Sequence, residues 1–175
     1  MTKVKSDSHF QGKIGAGEPN PLNVIDANGG IVVGAGYSGS SIAPANGIIV
    51  KGKAGFGTDD PITGVQIAKG LALKHINKTD SYTLTTNNCW VSFEGASLTA
   101  TLPNAVSHPS QIFIIKNVHE TNNLTVSTGI TVEGVATYYG TIDGQNIVTI
   151  GPRECIWVGS GGTNYQILNH YDLTI

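Results

Sequence analysis

The chain has 175 residues, enough for one ordinary domain or two small ones, and only 13% of them are charged, about half the usual share. A net charge of −2 with no Lys/Arg stripe gives no reason to expect nucleic acid. No apolar run approaches the roughly 20 residues that span a bilayer, and Met1 is followed by polar residues rather than the apolar core of a secretory signal. Membrane insertion is therefore not expected, and synthesis in a cytoplasm is.

Residues 1–11 are polar and read as a flexible N-terminal tail. Residues 12–30, GKIGAGEPNPLNVIDANGG, return at 52–70 as GKAGFGTDDPITGVQIAKG. Gly12, Lys13, Gly15, Gly17, Pro21 and Gly30 align with Gly52, Lys53, Gly55, Gly57, Pro61 and Gly70, an offset of forty residues. The repeated unit is glycine, turn and short strand, with no helical period. Such a unit cannot bury its own apolar side chains, so it needs copies beside it or partner chains around it. Very short strands are expected at 22–25, 31–33, 48–50 and 65–67, separated by glycine turns.

Directly after the strand at 31–33 come Gly34, Gly36 and Gly39, the spacing of a dinucleotide-binding fingerprint. That mechanism needs a helix to start there and face its N-terminus to the pyrophosphate. The following segment is short and broken by Pro44 and Gly47, so glycine turns are the better reading.

From about residue 79 the strands lengthen and alternate more clearly, which places a boundary near 77–80 and gives a shaft-like part at 12–78 and a second domain at 79–175. Tyr82, Leu84 and Thr86 share one face of the first strand. Cys89, Val91 and Phe93 share one face of the next, with Trp90 and Ser92 on the other. A third runs over 98–102 and stops at Pro103. Residues 111–117, QIFIIKN, form a continuous apolar run and the best candidate for a buried central strand. Further strands follow at 124–126, 130–132, 147–150, 155–158 and 165–168. Strands about 8–12 residues apart with turns between them suggest a sandwich or barrel.

Chemistry-bearing motifs are weak. Cys89 and Cys155 both head apolar runs and read as buried, reduced thiols. Asp59 with Asp60, and Glu133 with Asp143, are carboxylate pairs of the kind glycoside hydrolysis uses, but turn and surface positions suit them better. The five histidines lack metal-ligand spacing within one chain, and no metal or cofactor is expected. Tyr138 and Tyr139, in a loop or hairpin tip, are a candidate sugar-stacking pair, and His108 and His119 are further loop candidates for receptor contact.

Gly55, Gly57, Thr58, Pro61, Val65, Ile67 and Gly70 together resemble the G-x-G-T-x-x-P-x-x-x-L-x-V-x-G unit of bacteriophage tail-fibre shafts, with Val65 in the leucine place. The first copy departs, since Leu22 directly follows Pro21. The order of blocks from 82–85 through 91–93, 98–105, 111–117, 124–126 and 142–144 to 162–167 is similar to the C-terminal head domain of phage fibres. The resemblance implies an all-β homotrimer: an intertwined, glycine-rich β shaft whose turns use Gly15, Gly17, Pro21, Gly55, Gly57, Pro61 and Gly70, followed by a β-sandwich, jelly-roll-like head. It implies a non-enzymatic virion protein, made in the host cytoplasm and released by lysis, that joins other tail proteins and attaches to a host-surface glycan or protein. Three rivals stay open: a structural head-fibre or neck appendage without receptor binding, a glycan-degrading tailspike fragment, and a bacterial trimeric surface adhesin.

Overall fold

The computed structural model describes residues 14–16, 25–27, 30–38, 40–132 and 135–172. The protein is nearly all β, with 42% strand and, among the described residues, no α-helix. It divides into two compact units, Met1–Leu71 and Ala72–Ile175. The boundary falls a few residues before the one read from sequence, because the strand at His75–Lys78 pairs into the second unit.

Among its described residues the first unit holds three parallel strand pairs: β1 (Ile14–Ala16) with β2 (Ile25–Ala27), β3 (Ile31–Val33) with β4 (Ile48–Val50), and β5 (Ala54–Phe56) with β6 (Val65–Ile67). Parallel neighbours usually need a long crossover, often a helix; β5 reaches β6 through the short segment 57–64 instead. The forty-residue repeat reappears here in register. Ile14 lies opposite Ile25 in the first copy, and Ala54 opposite Val65 in the second, so both copies form the same pair with the same step along the chain. The sequence departure after Pro21 does not alter that pairing. Of the strand expected at 22–25, residues 22–24 lie outside the described residues, and Ile25 opens β2.

The glycines of the repeat serve two different purposes. Gly55 lies within β5 rather than in a turn, and a Cβ there would meet the Thr58 carbonyl oxygen at 2.6 Å and Pro61 Cγ at 3.5 Å. Gly57 takes φ +75°, the left-handed region that favours glycine. Gly70 is open on all sides. Gly15 likewise falls inside a strand, β1, while Gly17 and Pro21 lie outside the described residues.

In the second unit the chain winds between two sheets. β7 (His75–Lys78), β9 (Trp90–Phe93) and β11 (Ile112–Asn117) lie side by side and parallel in one; β8 (Tyr82–Thr83), β10 (Thr99–Thr101) and β12 (Leu124–Ser127) do the same in the other. Consecutive strands thus alternate between sheets. After the hairpin of β13 (Gly129–Val132) and β14 (Val135–Tyr138), the chain reverses: β15 (Ile147–Ile150) pairs antiparallel with β12, β16 (Cys155–Ser160) with β11, and β17 (Tyr165–Tyr171) with β16. The result is a four-stranded sheet, β15-β12-β10-β8, and a five-stranded sheet, β17-β16-β11-β9-β7. Its parallel half departs from the antiparallel pairing of a jelly roll.

One core joins the two sheets. Val91, Phe93, Phe113, Ile115, Ile156 and Val158 enter it from the five-stranded side, and Ala100, Leu124, Val126 and Ile150 from the four-stranded side. Buried polar groups tie its ends. The Tyr165 hydroxyl donates to the Pro103 carbonyl at 2.9 Å, and Ser160 Oγ donates to the Ala105 carbonyl at 3.0 Å, holding the 3-10 turn Ala105–Ser107. Asn117 Nδ2 donates to the carbonyls of Asn122 (2.9 Å) and Gly151 (2.8 Å), pinning the end of β11. Among the described residues no buried side-chain nitrogen or oxygen lacks a partner.

Candidate functional site

Strand alternation sends every second residue of the five-stranded sheet away from the core. Val91 and Phe93 point in, so Trp90 and Ser92 point out; Phe113 and Ile115 point in, so Ile112, Ile114 and Lys116 point out; Ile156 and Val158 point in, so Cys155 and Trp157 point out. The register then aligns His75, Trp90, Ile114, Trp157 and Asn169 in one row across all five strands. Trp90 and Trp157, the only tryptophans of the chain, flank Ile114 about 10 Å apart, two interstrand steps. With Ser92, Lys116, Val118 and Cys155 they line an open cleft of about 410 Å³.

The indoles are 40% and 42% exposed. His75 packs on Trp90 with ring centroids 4.2 Å apart, and its Nε2 lies 2.9 Å from Ser92 Oγ. Lys116 is the one charged residue of the lining, and its ammonium donates to the Arg153 carbonyl. Burial pushes the Cys155 thiol up from its ordinary range, partly opposed by the Lys116 charge and a hydrogen bond with Trp157. A thiol kept protonated in this way is a poor nucleophile. The lining of the cleft is thus mostly apolar, with Ser92, Lys116 and Cys155 as its polar members.

The receptor-contact candidates read from sequence do not converge. His108 ends the 3-10 turn ahead of β11, its Nδ1 3.0 Å from the Asn104 carbonyl. His119 follows β11, and its Nδ1 accepts the backbone N–H groups of Thr121 (3.2 Å) and Asn122 (3.0 Å). Both rings are thus engaged by their own turns, at opposite ends of one strand. Tyr138 lies opposite Gly129 at the open end of the β13–β14 hairpin, not at its tip, and Tyr139 follows it with its N–H donated to the Thr128 carbonyl. The two tyrosines are exposed neighbours.

The other motifs resolve into local structure. Gly34 and Gly36, at φ +118° and +84°, shape a turn in which Lys51 packs against Gly34, and no helix follows; Gly39 lies outside the described residues. Asp59 and Asp60 sit in bends. Asp143, at φ +45°, caps a turn with its Oδ2 accepting the Ile167 N–H, and Glu133 lies outside the described residues. Cys89 and Cys155 are free thiols, half-buried rather than buried. Among the described residues no helix is long and apolar enough to cross a membrane.

Sequence reading placed Trp90 on the face opposite Val91 and Phe93 but did not single out the cleft. The alternation in CIWV was the available signal for Trp157. What was missing was the pairing of β9, β11 and β16, which is set by contacts far apart in the chain. No protein-family model, no curated protein and no solved structure matches the chain.

Proposed function

We propose that this protein is a fibre or spike component of a bacteriophage: a homotrimer whose first unit forms a shaft shared by three chains, and whose second unit is the head that attaches to a host-surface glycan or protein. The observation that carries this reading is the state of the first unit. Among residues 30–38 and 40–71 none is buried. Ile48, Phe56 and Val65 are 65%, 59% and 64% exposed, and with Val50 and Ala54 they line an apolar groove of about 410 Å³. Burying a side chain of this kind is worth about 1.5–3 kcal/mol, and a single copy forgoes it at the β3–β4 and β5–β6 pairs. Three chains wound together recover it, with Gly57 allowing the turn after β5 and Gly55 the close approach of Thr58.

Receptor contact is assigned to Tyr138 and Tyr139, since the rings of His108 and His119 are committed to their turns. Three heads on one shaft multiply weak individual contacts through effective concentration. No catalysis is part of this reading. Native mass of the purified full chain tests the assembly: a trimer at micromolar concentration is expected, and a stable monomer overturns it. Retention on host cells tests attachment. Replacing both tyrosines by alanine is expected to release the trimer from cells without changing its mass. Absence of any cell binding by the unaltered trimer favours the structural appendage instead.

A further inference from the structure

We propose that the tryptophan face of the five-stranded sheet is where the second units of separate copies meet, so that its occupant is a second copy of this chain and not the receptor. The inference rests on the trimeric reading above and adds the surface that joins the heads.

Four observations carry it. The outer faces of the two sheets are unlike. On the four-stranded sheet, Thr99, Thr125 and Thr149 form one cross-strand row, and Thr101 and Ser127 lie in the next, which ends at Ile147, 44% exposed; this face is mostly polar, like the surface a sandwich shows to water. The five-stranded sheet instead offers Trp90, Ile114 and Trp157 in a row, with Ile112, 46% exposed, beside them. Moreover, β11 carries the continuous apolar run of a strand covered on both sides, and in one chain only its inner side is covered.

The polar groups of the cleft decide against a glycan. Ser92 Oγ is engaged by His75, and the Lys116 ammonium already donates to the Arg153 carbonyl. That takes one of the three Lys116 donors, and a sugar's several hydroxyls would otherwise meet two indoles, an isoleucine and a valine, where each hydroxyl buried without a partner costs its desolvation. An apolar protein surface makes no such demand.

Area and tether select a copy over an unrelated protein. Five strands 4.8 Å apart, crossed over some five residues, present on the order of 400 Å², about half of what each partner gives to a standard interface. That is too little to capture a free partner, but enough for one already held nearby. Three residues, Ala72, Leu73 and Lys74, separate the first unit from β7, the first strand of this sheet. They span at most about 14 Å of extended chain.

The chain supplies its own reporter, because both tryptophans lie on this face. Native mass and iodide quenching of tryptophan fluorescence are measured together on the full-length protein. A trimer with blue-shifted emission and near-complete protection from iodide is expected. Ile114→Arg, which keeps both indoles and leaves the inward side of β11 untouched, is expected to retain the trimer mass while emission moves red and protection is lost. Thr125→Arg, on the opposite sheet, is expected to change neither. A trimer whose tryptophans are fully quenched overturns the inference and leaves the proposed function standing. So does a trimer whose tryptophans become shielded only when a bacterial surface polysaccharide is added. A monomer overturns the trimeric reading, and this inference with it.

Discussion

Gly55 and Gly70 hold matching places in the repeat alignment as members of one motif, yet their surroundings differ sharply. A methyl group at Gly55 would press on the Thr58 carbonyl at 2.6 Å, whereas one at Gly70 meets nothing within 4 Å. Gly55→Ala is therefore expected to cost about 1–3 kcal/mol through forced backbone movement, and Gly70→Ala to stay within about 0.5 kcal/mol. Thermal melts of the two variants at equal concentration check the contrast. Tyr165 gives a second prediction at this scale. Burial pushes its phenol up to about 12, while in the unfolded chain it ionises near pH 10. Between those values the unfolded chain releases a proton that the folded chain keeps, so stability falls as pH rises through that window. Urea titrations from neutral to alkaline pH should show the loss. Tyr165→Phe should remove that pH dependence and, by stranding the Pro103 carbonyl, cost about 1–3 kcal/mol at neutral pH.

At the scale of elements, β11 is the strand on which the second unit depends. It is central in the five-stranded sheet, parallel to β9 on one side and antiparallel to β16 on the other. It sends Phe113 and Ile115 into the core with no exposed surface. Ile115→Ala is expected to cost about 2–5 kcal/mol by the transfer and cavity terms together, read as a lowered urea midpoint. The central place of QIFIIKN was legible because a long apolar run marks a strand with neighbours on both sides. Its partners were not legible. Local pattern says which residues prefer a strand, but not that β9 would lie parallel to it and β16 antiparallel. For the same reason Trp90 was read as lying on the face opposite Val91 and Phe93 without any hint that Trp157 would share its row.

For the whole molecule, the first unit and the second pose different physical problems. The second closes its own core of fifteen buried apolar residues from two sheets. The first buries none of residues 30–38 and 40–71, so on the proposed trimeric reading its stability is tied to association. A melting temperature that rises with protein concentration is the expected signature, since anything that binds only the folded form stabilises it by mass action. A melting temperature independent of concentration over a hundredfold range would argue that a lone chain holds its first unit together.

Several features followed from the chain alone. The low charge, the abundant glycines and the short alternating bursts determined an all-β protein, because they leave no segment able to sustain a helix. The forty-residue repeat marked 12–30 and 52–70 as equivalent units of glycine, turn and short strand, while the strands that start at Ile14 and Ala54 came only with the structure. Only the tertiary structure decided that the sheets run partly parallel, that His108 and His119 serve their own turns, and that two distant tryptophans flank one isoleucine. Those outcomes depend on register between strands remote in sequence, and register is fixed by the fit of whole faces against a common core, not by the residues of any one strand.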